Sequence, residues 1–277
     1  MVLMDSNPQL LLVGCGKMGS ALLDGWLESG TAPDTVTIIE PGPTPKVAAG
    51  VTVITDLSEL AIEATANIVV FAVKPQVMDQ VVPAYSRFTG PDTVFLSIAA
   101  GKTIGFFENL LGDQAAGEGP SIVRAMPNTP AAVGRGISVC VGNSAVTDQQ
   151  MNACRELLSA VGEVAVIDDE AQMDAVTAVS GSGPAYVFLL TECLARAGVE
   201  AGLPSDLAAE LARATVSGSG GLLDAADDSP ETLRQNVTSP GGTTAAALDV
   251  LMAEGGLDAL MTRAVTAATA RSRELAG

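Results

Sequence analysis

Thr243 and Thr244 follow Gly241-Gly242 in the stretch Val237-Thr238-Ser239-Pro240-Gly241-Gly242-Thr243-Thr244, which runs straight into an alanine-rich segment. Pro240 fixes one φ angle, while the two glycines reach φ values that other residues resist. Two hydroxyls and a set of free backbone N–H groups at a helix start suit a carboxylate ligand. Taken alone, a helix cap behind a tight turn explains these residues better. The rest of the chain tips the reading towards a ligand site.

A second constellation lies near the other end. The apolar run Leu10-Leu11-Leu12-Val13 ends at Gly14-Cys15-Gly16-Lys17-Met18-Gly19, and a helical pattern in Ala21, Leu22, Leu23, Trp26 and Leu27 follows. Strand, glycine turn and helix are the context in which a GxGxxG spacing binds a dinucleotide. Gly14 makes the turn, Gly16 lets backbone approach a pyrophosphate, and Gly19 lets helix pack on strand. The helix N-terminus then favours the phosphates. The strand Val36-Thr37-Ile38-Ile39 ends at Glu40, 21 residues beyond Gly19. A carboxylate there accepts from the ribose hydroxyls and repels a 2′-phosphate, which tilts the choice towards NADH over NADPH. Thr44 and Lys46 follow in a proline-rich loop, and Lys46 could serve a phosphate, so both cofactors stay open.

Other chemistries are disfavoured. There is no histidine, and the four cysteines, Cys15, Cys140, Cys154 and Cys193, form no CxxC pair, so no metal site is expected. Free thiols in a reducing, cytoplasmic setting fit them better than a disulfide frame. Leu12-Val13-Gly14-Cys15 superficially resembles a lipoprotein cleavage box, but no Lys or Arg precedes it. A formal charge of -18, from 32 acidic against 14 basic residues, argues against nucleic acid or an anionic membrane as partner. No apolar stretch approaches the length of a membrane span.

The elements that must position these residues fall into two halves. Ile68-Val69-Val70-Phe71-Ala72-Val73, ending at Lys74-Pro75, and Val94-Phe95-Leu96-Ser97-Ile98, ending at Ala99-Ala100-Gly101, read as buried strands of a parallel sheet. Ile122 to Met126 leads into Pro127-Asn128-Thr129-Pro130, and strands at 136–141 and 164–167 continue the sheet. From Glu170 the pattern turns helical, with helices expected up to Val179, from Ala185 to Gly202, and over 205–225, 229–235, 243–254 and 256–275. Ser180-Gly181-Ser182-Gly183-Pro184 interrupts the first two, and Pro184 suits a first helical turn. The expected architecture is an α/β Rossmann domain, residues 1–166, with a mostly parallel doubly wound sheet. An all-α domain, residues 167–277, follows. The helix with Val187, Phe188, Leu189, Leu190, Cys193, Leu194 and Val199 is apolar over much of its circumference, and a homodimer exchanging these helices would cover it.

Gly14 to Gly19, Ala72-Val73-Lys74-Pro75-Gln76, Met126-Pro127-Asn128-Thr129-Pro130, Ser180-Gly181-Ser182-Gly183-Pro184-Ala185-Tyr186 and the Val237 to Thr244 turn occur in this order. Together they closely resemble the pyrroline-5-carboxylate reductases, over essentially the whole chain. The resemblance implies reduction of the C=N bond of 1-pyrroline-5-carboxylate to L-proline with NADPH or NADH, and a dimer that assembles further, commonly into a decamer. It places cofactor contacts on Gly14, Cys15, Gly16, Lys17, Met18, Gly19, the Glu40 region, Val73, Lys74, Pro75 and Ala100. Substrate contacts fall on Glu170, Ser239, Gly241, Gly242, Thr243 and Thr244, and Asn236 matches a position that touches cofactor or substrate. Glu59 departs from the uncharged residue that many relatives carry near the adenosine. Thr244 is the candidate to hydrogen-bond the ring nitrogen and relay a proton; Asp227 is a second candidate, more simply read as solvated surface. A dehydrogenase of 3-hydroxy acids with a catalytic lysine in its helical half is disfavoured, because no lysine follows Lys102. A non-enzymatic relative would not need the intact Ser239 to Thr244 turn.

Overall fold

The computed structural model describes residues 9–112 and 119–276. Eight strands form one sheet: β1 (Leu10–Val13), β2 (Val36–Ile39), β3 (Thr52–Ile54), β4 (Ile68–Phe71), β5 (Val94–Ser97), β6 (Ser121–Met126), β7 (Gly136–Gly142) and β8 (Gly162–Val166). Their order is β3-β2-β1-β4-β5-β6-β7-β8. Every neighbouring pair is parallel except β6 and β7, where Val123 opposes Gly142 and Met126 opposes Val139. β1 bonds to both β2 and β4, with Leu12 opposite Ile38 and Val70. The chain therefore winds outwards from β1 to one edge, returns, and builds the other side. Open α/β sheets bind ligands at the carboxyl ends of strands beside such a reversal.

Both faces of the sheet are covered, which is why β1 is apolar at every position. Leu10 and Leu12 join one core with Leu22, Leu23 and Trp26 from α1 (Lys17–Glu28). Leu11 and Val13 join the other, which gathers Phe71, Tyr85, Phe95 and Phe107. Phe71 lies 5.4 Å from Tyr85 edge-on and 5.7 Å from Phe107 stacked, so much of the small aromatic content sits in one layer. Trp26 is buried, and its Nε1 donates to the Leu157 carbonyl at 2.8 Å, tying α1 to α4 (Asp148–Ser159).

Four elements lie outside the sequence expectation: β3, α2 (Met78–Val81), α3 (Ile104–Leu111) and α4. The helical run expected from Glu170 to Val179 is shorter: after α5 (Met173–Val176), Thr177–Gly181 forms a π-helical turn. Then come α6 (Gly183–Glu200), α7 (Ser205–Ala225), α8 (Pro230–Asn236), α9 (Thr243–Leu251) and α10 (Leu257–Ala276). α9 stops three residues short of its expected end.

Contacts divide the chain into two compact units. One runs through Gly181 and regains the residues from Thr269 onward; the other is Ser182–Ala268. The division falls later than the pattern break expected at 166, because fully buried Met173 packs into the second sheet core. The end of α10 belongs with that unit as well: the buried Ser272 hydroxyl donates to Asp174 Oδ1 at 2.7 Å. In the second unit α6 and α7 pack against each other, with Ala208 and Ala212 buried. Phe188 is 62% exposed there, and Leu189 and Leu190 are over half exposed. Among the described residues no helix is long and apolar enough to cross a membrane.

Candidate active site

The glycine loop after β1 has the geometry that a dinucleotide requires. Gly14 has φ +89°, and a Cβ there would press into Val73 at 2.6 Å. Its N–H donates to the Ile39 carbonyl at 2.9 Å, joining the loop to the end of β2. At Gly19 a Cβ would come 2.5 Å from the Gly14 carbonyl oxygen, so only glycine lets α1 start so close to the strand. Nothing lies within 4 Å of a Cβ built on Gly16, which is exposed and caps α1 without a side-chain hydrogen bond. The first-turn N–H groups of α1 have no side-chain partner competing with an anion, so these residues fit the pyrophosphate of a dinucleotide. Lys17 is exposed at this turn, while Cys15 and Met18 are half-buried against the first core. Met18 offers its first-turn backbone N–H, whereas the Cys15 N–H goes to Glu40.

Glu40 closes the loop from the side. Its Oε2 accepts from the Cys15 N–H at 2.8 Å, and its Oε1 accepts from the Gly42 N–H at 2.9 Å. A carboxylate offers about four lone-pair sites, so acceptor capacity remains for ribose hydroxyls. The Cys15 thiol is pushed above its ordinary pKa, first by burial and then by the negative charges of Glu40 and Asp24. Val73 packs against Gly14 and the second core. Lys74 is exposed, Pro75 opens a 3-10 turn, and Ala100 lies exposed just past β5. Lys46 is exposed in the loop after β2. These positions all follow the carboxyl ends of β1, β2, β4 and β5.

Glu59 has a local task. Its Oε1 accepts from the Thr55 N–H, the Thr55 hydroxyl and the Asp56 N–H, and it forms a capping box with Asp56. These hydrogen bonds hold its carboxyl below the usual range. Glu170 is also engaged. One oxygen accepts from Arg124 Nη1 at 2.7 Å and from the Ile104 N–H at 2.8 Å. Arg124 is buried on β6, so Glu170 neutralises an interior guanidinium and ties β6 to the start of α3. Sequence reasoning missed Arg124, for which an arginine within an apolar strand was the available signal.

In the second unit, Asn236, Ser239, Gly241, Gly242, Thr243 and Thr244 come together in one connection, between α8 and α9. The Gly242 N–H donates to the Ser239 carbonyl at 3.0 Å, and Gly241 has φ +69°. Proline second and a left-handed glycine third form a type II turn, which delivers the chain to the first residue of α9. Gly242 caps α9 without a side-chain hydrogen bond, and no acidic residue occupies the first turn. The helix start is therefore open to an anion. Thr238 braces the turn from behind, its hydroxyl donating to the Arg234 carbonyl at 2.6 Å. Asn236 is the last residue of α8 and exposed; Thr243 is exposed and Thr244 half-buried.

Comparison with known proteins identifies this combination. Residues 170–275 match the family model described as "Pyrroline-5-carboxylate reductase dimerisation", and residues 9–101 match "NADP oxidoreductase coenzyme F420-dependent". The chain is 38% identical to the pyrroline-5-carboxylate reductase of Pseudomonas aeruginosa, with 98% of each chain covered. The chain belongs to the pyrroline-5-carboxylate reductase family. The enzyme of that name from Pisum sativum is 37% identical, over 99% of this chain and 98% of its own. Among solved structures, the family member from Coxiella burnetii superposes with a TM-score of 0.87 at 32% identity, covering 98% of this chain and 100% of that one. The Plasmodium falciparum pyrroline carboxylate reductase, solved with NADP bound, gives 0.80 at 31% identity, covering 98% and 99%. As a member of this family the protein is an NAD(P)-linked oxidoreductase with a Rossmann domain and a helical dimerisation region.

Proposed function

We propose that the protein reduces the C=N bond of 1-pyrroline-5-carboxylate to give L-proline. The observation that carries this reading is one chain holding both a dinucleotide loop with an unobstructed Gly16 and an uncapped, acid-free helix start at Gly242-Thr243-Thr244. When bound, the dihydronicotinamide supplies the hydride. The residues supply position and a proton. Backbone N–H groups at Gly241, Thr243 and Thr244 hold the substrate carboxylate, Gly242 closes the turn that aims them, and Ser239 and Thr243 flank it. The Thr244 hydroxyl hydrogen-bonds the ring nitrogen and passes it a proton from water, so hydride at carbon and proton at nitrogen complete the reduction. A threonine hydroxyl is a weak acid, so it serves as positioner and relay. Lys17, Lys74, Pro75 and Ala100 edge the cofactor, and Asn236 lies at the mouth of the substrate turn.

Thr244→Ala should lower turnover at least ~10-fold, the low end of what losing a proton-delivery group costs, with thermal stability unchanged. Wild-type turnover in that variant would remove Thr244 from the mechanism.

Within NAD(P)H use, Glu40 favours NADH. Its carboxylate sits against the Cys15 amide, where a 2′-phosphate would meet like charge. Initial rates with both cofactors, on wild type and Glu40→Ser, test this: the substitution should raise kcat/KM for NADPH relative to NADH. The protein works as a cytoplasmic homodimer built on its C-terminal helices, with a decamer as the further assembly. Its four free thiols and the matched dimerisation region support that reading.

A further inference from the structure

The chain crosses from one compact unit to the other between Gly181 and Ser182, directly after the π-helical turn Thr177–Gly181. Such turns inside helices often mark functional positions. Pro184 gives this one a local cause. Having no N–H, it cannot donate to the Ser180 carbonyl one helical turn earlier. The next donor, the Ala185 N–H, bonds to the Ser182 carbonyl at 3.0 Å. The Ser180 carbonyl is satisfied from elsewhere: Asn128 Nδ2 donates to it at 3.3 Å. The same amide accepts through Oδ1 from the Ile137 N–H at 2.9 Å. Asn128 belongs to the loop after β6, on the carboxyl edge of the sheet. The contact is close, because a Cβ on Gly181 would run into Met126 Cε.

The chain returns to the first unit at Thr269 within α10, and its end is held there. Asp174, three residues before the π turn, accepts from the Ser272 hydroxyl at 2.7 Å and lies 3.7 Å from Arg273 Nε. The end of α10 is thus tied to α5 within the first unit.

We propose that Asn128 is the positioning residue that holds the π turn Thr177–Gly181, the joint after which the chain passes into the second unit. One side chain then links a loop on the cofactor edge to the π turn. In its kinetic arm the proposal rests on the reductase reading. Groups at the carboxyl edge of the sheet are sensitive to such a link, since a misplacement of about 1 Å costs on the order of 100-fold in rate.

Asn128→Asp separates the two bonds. It keeps an acceptor for the Ile137 N–H but turns an oxygen towards the Ser180 carbonyl. Expected are a fall in kcat/KM for the imine on the order of 10- to 100-fold, cofactor affinity within about twofold of wild type, and faster amide exchange at 177–183 with the strands unchanged. Pro184→Ala is the companion variant, and it decides the matter if the first fails to fold. It gives the Ser180 carbonyl a donor within its own helix and releases it from Asn128 without introducing charge. Its kcat/KM for the imine should fall while 177–183 stays protected from exchange. Unchanged kinetics in Pro184→Ala would overturn the proposal. So would a loss of cofactor affinity in Asn128→Asp matching the loss in kcat/KM, or exchange rising evenly through the first unit. Failure of the wild type to reduce the imine would sink the reductase reading instead, and local exchange at 177–183 in Asn128→Asp would then decide the joint.

Discussion

Glu170 and Glu40 are both acidic residues that the sequence offers as ligand contacts, and their surroundings assign them different work. Glu40 stands at a strand end beside a glycine loop, and that context is legible from spacing alone. The partner of Glu170 is 46 residues earlier, and no local pattern announces it. Removing the carboxylate with Glu170→Ala strands the buried Arg124 guanidinium, which should cost about 3 kcal/mol. That corresponds to a fall of roughly 6–12 °C in Tm, while KM for the imine stays within twofold. A raised KM with unchanged Tm would bear out the substrate contact that the resemblance gives Glu170. Cys15 gives a second test at this scale. Only the thiolate alkylates, and burial together with Glu40 and Asp24 raises the pKa of this thiol. At pH 8 it therefore carries less thiolate than an unperturbed cysteine. Mass-spectrometric labelling with iodoacetamide should lag behind a free thiol there and keep rising at higher pH, and bound cofactor should slow it further. Labelling at the free-thiol rate at pH 8 would contradict the burial.

Among the elements, those with an unbroken apolar run or strong punctuation were legible: β1, β2, β4 and β5 from their apolar residues, and α6 from the proline in its first turn. β3 has three residues and a single buried position, too little for a period to show. The π turn escaped because helix propensity says nothing about a carbonyl satisfied by a side chain 52 residues away. α4 carried a sign in Thr147 and Gln150, which form a capping box. The turn before α9 was legible in part: Gly241 is left-handed as a type II turn demands, whereas Gly242, at φ -80°, is backbone that any residue adopts. Gly241→Ala tests it. No atom lies within 4 Å of the added methyl, so the cost is backbone strain at φ +69°, about 1–2 kcal/mol. The expected result is a modest drop in stability by chemical denaturation with a several-fold rise in KM for the imine. An unaltered KM would show that the turn does not hold the carboxylate.

The whole molecule is where sequence periodicity carried least, because α10 begins in one compact unit and ends in the other through contacts such as Ser272 with Asp174, 98 residues apart. One large-scale feature was legible nonetheless: the apolar circumference of α6. No residue of that helix is buried within the chain, and Phe188, Leu189 and Leu190 are all more than half exposed. A second copy is the partner consistent with the matched dimerisation region, and a stable interface removes about 800 Å² from each partner. Charge works against that association, since each copy carries -18. At 0.1 M salt charges more than about 10 Å apart are largely screened. Added salt should therefore tighten the dimer, the reverse of an association driven by opposite charges. Sedimentation equilibrium at low and moderate ionic strength measures the sign directly. In the double variant Phe188→Asp, Leu190→Asp the face is broken and further like charge is added, so monomers should dominate at micromolar protein and reductase activity should fall with them. A variant that stayed dimeric and active, or a wild-type dimer that salt dissociates, would place the interface on some other surface.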